Sequence, residues 1–153
     1  MSAEFLSRPA PKLYEEDFVA WAYETARLLR EGRLDQIDIE HVAEEIEGMA
    51  NRDRRELLSR LTVLIHHLLK WGWQPEKRSG SWKLTIGSQR TEIDRQLEDS
   101  PSLRRILSPS LPRVYREAVK NAADETDLPK DTFPRECPFS VAQILDEDFL
   151  PEI

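Results

Sequence analysis

Along residues 38–73, apolar side chains recur at three- and four-residue steps through what reads as one long helix. Ile39, Val42, Ala43, Ile46, Met49 and Ala50 set the stripe. Leu57, Leu61, Leu64, Ile65 and Leu68 continue it in phase, because Ile46 and Leu57 stand about three helical turns apart. Between Leu61 and Trp71 the apolar residues spread beyond one face, as they do in the central helix of a bundle, yet His66, His67 and Lys70 lie among them. Asp38 is placed to cap the helix. Gly48 and Asn51 are weak helix formers, so the sequence leaves open whether this helix is continuous or bends or breaks near residues 48–53. Unbroken over residues 39–71, the helix would measure about 50 Å.

The same periodicity predicts a first helix over residues 14–30, with Phe18, Trp21, Ala22, Thr25, Leu28 and Leu29 on its stripe. Glu15, Glu16 and Asp17 favour its N-terminus, and Gly32 stops it. Residues 1–13, with Pro9 and Pro11 and no periodicity, read as an extended arm before a single helical domain over residues 14–153. A loop holding Pro75 and Gly80 leads to Ser81, the expected cap of a helix over residues 82–98 that carries Trp82, Ile86, Gln89, Ile93 and Leu97. Ser100-Pro101 and Ser108-Pro109 each read as a cap followed by proline at the first helical position. They predict a short helix through Leu107 and another over residues 110–126. The tail, residues 128–153, holds Pro129, Pro134 and Pro138 and cannot be regular helix throughout. Ser140 and Gln143 match a capping box for one short helix, and Phe133, Phe139, Phe149 and Leu150 predict that the tail packs on the domain. No strand-like alternation appears, so the fold class is all-α: a compact helical bundle with a long central helix and a proline-rich C-terminal tail.

Composition narrows the function classes. At 153 residues the chain is long enough for a substantial core. A net charge of −7 argues against general binding of a phosphate backbone. The one cysteine, Cys137, excludes an intramolecular disulfide and a multi-cysteine zinc site. The opening residues lack a signal-peptide core, and no apolar run approaches a membrane span, so the expectation is a cytoplasmic protein without membrane partners.

Several stretches, in order, form a recognisable set. They are Ala43-Glu44-Glu45-Ile46-Glu47, His67-Leu68-Leu69-Lys70-Trp71, Ser81-Trp82 through Thr85-Ile86 to Gln89-Arg90, and Ser100-Pro101-Ser102-Leu103. Cys137-Pro138-Phe139 and the ending from Ile144 to Pro151 complete it. With these, residues 14–151 resemble the bacterial family known as domain of unknown function 29. The resemblance implies a compact, entirely helical domain and assigns no activity.

Two function classes compete. One is an interaction or regulatory module that binds another protein or itself. Its candidate binding residues are Trp71, Trp73 and Trp82, with Lys77 and Arg78 in a polar rim along residues 77–83, because tryptophan is a frequent interface anchor. The other is a hydrolytic or phosphate-directed enzyme using His67, Lys70, Gln89 and Arg90, with His67 as general base. Gln89 interrupts an apolar stripe, so it is expected to be buried and hydrogen-bonded, with His67 largely inaccessible. Glu45 projects to nearly the same side as His67, but a shared site needs a sharp break near Gly48 or a partner chain. His41 and Glu45 share helical spacing, yet the repeated Glu-x-x-His pairs of di-iron bundles and the His-Glu-x-x-His of zincins are absent, so no metal or other cofactor is expected. The basic stretch over residues 77–83 could hold phosphates, but the global acidity argues against nucleic acid.

Overall fold

The computed structural model describes residues 10–153, and among these it contains helices and no strands. Six α-helices follow one another: α1 (Ala10–Glu16), α2 (Phe18–Arg30), α3 (Ile39–Trp73), α4 (Gly80–Asp99), α5 (Arg104–Thr126) and α6 (Val141–Leu145). Two compact units divide the chain, Met1–Arg52 and Asp53–Ile153, with the boundary inside α3.

Local chemistry accounts for the boundaries. The expected first helix is two, because Asp17 leaves helical geometry and its carboxylate accepts the Ala20 N–H at 3.0 Å, capping α2. Of the extended arm, residues 1–9 lie outside the described residues, while residues 10–13 belong to α1. Gly32 ends the α2 region in the left-handed conformation, φ +69°. Asp38 accepts the His41 N–H, and α3 then runs through Gly48 and Asn51 to Trp73 without interruption. The question that Gly48 leaves open is thus answered by a continuous helix.

The cap of α4 is Ser79, whose Oγ accepts the Trp82 N–H, so this helix starts two residues before the expected one. Ser108-Pro109 starts nothing, because α5 is continuous from Arg104 and contains Pro109 and Pro112. Each proline removes one N–H that would have bonded the carbonyl four residues earlier. Those carbonyls belong to Arg105 and Ser108, both exposed, so water can replace the lost partners. Asp127, φ 59°, closes α5. The capping box at Ser140 and Gln143 opens α6 with both reciprocal bonds, 3.1 and 3.0 Å.

The C-terminal unit holds one apolar core. Leu57, Leu61, Leu64, Ile65 and Leu68 of α3 meet Ile86, Ile93 and Leu97 of α4 and Val114, Ala118 and Ala122 of α5, and Phe133, Phe139 and Ile144 join the same cluster. In the N-terminal unit α1 packs on α2, and Leu13, Trp21 and Leu28 are buried.

Candidate functional site

The polar residues of α3 meet a partner on α5. Lys70 is only 1% exposed, and its ammonium donates to Glu125 Oε1 at 2.6 Å while lying 4.4 Å from the Trp82 ring centroid. His66 Nε2 is 2.6 Å from the other oxygen of the same carboxylate, off the line of a well-formed N–H···O bond. Burial, then the neighbouring His67, pull the His66 imidazole down to about 4. Burial also lowers His67, whose Nδ1 bonds the Val63 carbonyl at 2.8 Å. For Glu125, burial raises the carboxyl, but the Lys70 hydrogen bond and the nearby histidines outweigh it and the net shift is downward. The arrangement is a buried cation held between a half-exposed carboxylate and an aromatic face.

The four candidate catalytic residues separate. His67 and Lys70 share the Glu125 neighbourhood. Gln89 is half-buried rather than buried, and its Oε1 accepts from Arg60 at 3.3 Å. Its flank of α4 leaves room for water, so helical phase alone overstated its burial. Arg90 is the buried polar residue of α4, at 2% exposed. Its guanidinium donates to the carbonyls of Ile144 and Phe149 at 2.8 Å, with longer bonds to Gln143 and Glu147. Burial lowers its proton affinity, and Asp146 and Glu147 oppose that. These bonds tie Arg90 to the end of α6 and the segment after it.

Four of the five candidate binding residues, Trp71, Trp73, Arg78 and Trp82, have side-chain contacts within the C-terminal unit. Arg78 stacks 5.1 Å from the Trp71 ring and donates to the Trp71 carbonyl at 2.8 Å. Trp73 lies against Phe133 and Phe139, with ring centroids 5.8 and 6.5 Å away. Trp82 faces the Lys70 ammonium. All three indoles are half-buried, and Lys77 and Arg78 are exposed. Four surface hollows of this unit have volumes of about 510, 710, 390 and 500 Å³, and none of these four is lined by His67, Lys70 or Gln89.

A second constellation occupies the N-terminal unit. The Tyr14 ring stacks on His41 at 3.9 Å, its hydroxyl donates to Glu45 at 2.6 Å, and Trp21 meets it edge-on. The Glu45 hydrogen bond, with burial, pushes the Tyr14 phenol up to about 12. His41 Nδ1 bonds the Asp38 carboxylate, which raises the imidazole and lowers the acid. The hydrogen bonds of the His41 ring and the Glu45 carboxylate therefore go to different residues, Asp38 and Tyr14, and among the described residues no three acidic, histidine or cysteine side chains gather in a way that could hold a metal ion.

The face of α3 turned away from this constellation is open. His41, Glu45 and Gly48 are half-buried, whereas Ile39, Ala43, Ile46 and Ala50, which recur at four, three and four residues, are exposed. Ile39 is 67% exposed, Ile46 58% and Met49 52%. Phe18, Val19 and Tyr23 on α2 are exposed as well. Sequence reading found this stripe as one line with Leu57 to Leu68, which are buried, since periodicity shows a face and not what covers it. Glu125 was missed, and its one signal is an acid in the last turn of a helix, where the dipole disfavours it.

Residues 13–150 match the family model described as Domain of unknown function DUF29, so the chain belongs to that family. No curated protein and no solved structure matches the chain.

Proposed function

We propose that this member of the DUF29 family is a cytoplasmic protein-interaction or regulatory module, and that the exposed face of α3 in its N-terminal unit makes the contact. The observation that carries the reading is the exposed stripe at Ile39, Ala43, Ile46 and Ala50, with Met49 beside it. An amphipathic helix normally turns its apolar line inward, and monomeric proteins seldom leave contiguous apolar patches uncovered unless they serve binding. The hydrolytic alternative draws less support. Lys70 is committed to Glu125 and Trp82, and Arg90 to tail carbonyls. No helix among the described residues is long and apolar enough to cross a membrane.

The Trp71–Trp73–Trp82 region, with Lys77 and Arg78, remains a second candidate surface, favoured by the exposure of Lys77 and Arg78. The two surfaces are separated by pairing Ile39→Asp/Ile46→Asp with Trp73→Ser and comparing the proteins each variant retains from native lysate. Substitutions at exposed positions cost within about 0.5 kcal/mol, so the double variant keeps its melting temperature. Loss of wild-type partners from the double variant alone supports the α3 face, and loss from Trp73→Ser alone moves the contact to the tryptophans. Identical sets from all three proteins would end the interaction reading.

A further inference from the structure

The exposed stripe of α3 carries information about its partner. Ile39 and Ile46 project from it one heptad apart, and Ala43 and Ala50 alternate with them. Large residues separated by small ones give knobs and holes at the spacing of another helix lying nearly parallel. One flank of the stripe is a line of carboxylates, Glu40, Glu44 and Glu47, at the same four- and three-residue steps. All three are exposed, and among the described residues none of them makes an ion pair. The charge is also unevenly distributed along the chain. Residues 1–52 hold twelve acidic residues against six basic ones, which is six of the seven net negative charges.

We propose that the occupant of this face is a basic amphipathic helix, its apolar side on the Ile39–Ala43–Ile46–Ala50 stripe and its lysines or arginines along Glu40, Glu44 and Glu47. This rests on the interaction reading above and specifies the partner's chemistry. The acidic field draws a cationic segment in and sets which way round it lies. A second copy of the stripe fits poorly, because residues 39–50 contain no lysine or arginine to meet the carboxylates. An anionic lipid surface is repelled by the same groups.

The test uses the full chain and three synthetic helical peptides with one common leucine–isoleucine stripe and lysine, glutamine or glutamate on the flanks. Binding is read by fluorescence anisotropy at low and high salt. The lysine peptide should bind on the order of tenfold more tightly than the glutamine peptide, from three exposed charge pairs. High salt should shrink that advantage, and Glu40→Gln/Glu44→Gln/Glu47→Gln should abolish it. Ile46→Asp should weaken both peptides. If no peptide binds, if the glutamate peptide binds as well as the lysine one, or if the triple variant keeps the lysine preference, the inference is overturned. The broader interaction reading survives those results as long as Ile39→Asp/Ile46→Asp or Trp73→Ser still loses native partners, and falls if neither does. A wild-type dimer in light scattering that Ile46→Asp dissociates would give the face to a second copy and also overturn the inference.

Discussion

At the scale of single residues, the Lys70 ammonium is the most demanding group in the protein, because a charge this buried is tolerated only when paired. Glu125 supplies the pairing while remaining half-exposed. Glu125→Gln leaves the cation with only a neutral acceptor and Trp82, and it should destabilise the chain by about 1–3 kcal/mol. Lys70→Met removes the charge and keeps the stem, so it should cost less. Urea unfolding of the two variants gives the comparison, and a larger loss for Lys70→Met would show that the pair itself stabilises the fold. His66 adds a pH dependence. Its folded value of about 4 lies below the ordinary 6.5, so on acidification the unfolded chain takes up this proton first. Stability from neutral His66 is therefore complete above about pH 6.5 and is lost as pH falls toward 4. Glu125, lowered in the fold, loses its contribution below its ordinary 4.5, in the same direction. The expected loss from His66 is about 1–3 kcal/mol. His66→Gln should flatten the slope of stability between pH 6.5 and 4, and an unchanged slope would place the titration elsewhere. His67 and Lys70 were legible in the sequence as polar residues in an apolar run. Their partner was not, because Glu125 lies 55 residues beyond Lys70 and no local rule links them.

At the scale of elements, hydrophobic period located the helices, and capping side chains mark where α2, α3, α4 and α6 begin. Ser140 with Gln143 is a two-residue signal and was read correctly. Ser79 and Ser81 are equivalent by local sequence, and only the backbone path out of the Pro75–Lys77 turn selects Ser79. Pro109 misled for a related reason, since a proline can sit inside a helix when the carbonyl it abandons faces water. Arg90 shows what local rules omit. It looks like a charged residue beside a stripe, but it satisfies carbonyls at the end of α6 and beyond, which no side chain nearer in sequence reaches. Arg90→Met keeps the stem and removes every donor, leaving the Ile144 and Phe149 carbonyls without their shortest side-chain partner. That should cost about 3 kcal/mol and loosen residues 141–150 first. Limited proteolysis should then cut this segment in the variant at protease levels that spare wild type. Uniform resistance would mean that the segment is held by Phe139, Ile144 and Phe149 alone.

At the scale of the whole molecule, apolar material is divided very unequally. Nineteen buried apolar residues form the cluster of the C-terminal unit, whereas Leu13, Trp21 and Leu28 are the large buried apolar residues of the N-terminal unit among the described residues. Burial is the main favourable contribution to folding, so the two units cannot be equally stable on their own contacts. The all-α class was legible because every periodic segment had the helical step. This inequality was not, since α3 carries one continuous stripe through both units and nothing in its period marks where the covering side chains stop. Opening free energies follow buried contacts. Amides of α2 and of residues 39–52 should therefore exchange with deuterium faster, by a sub-global opening, than amides of residues 57–69 and of the middle of α5. The contrast inside α3 is the sharpest form of this expectation, because both halves belong to one uninterrupted helix with the same backbone hydrogen-bond pattern. Binding a partner along Ile39 to Ala50 should raise protection in the first half and leave the second nearly unchanged, since a ligand stabilises only the openings that disrupt its site. Hydrogen–deuterium exchange read peptide by peptide tests both steps. Equal protection along α3 in the free chain would refute the inequality, and it would mean that the exposed stripe is held by contacts as strong as those of the buried one.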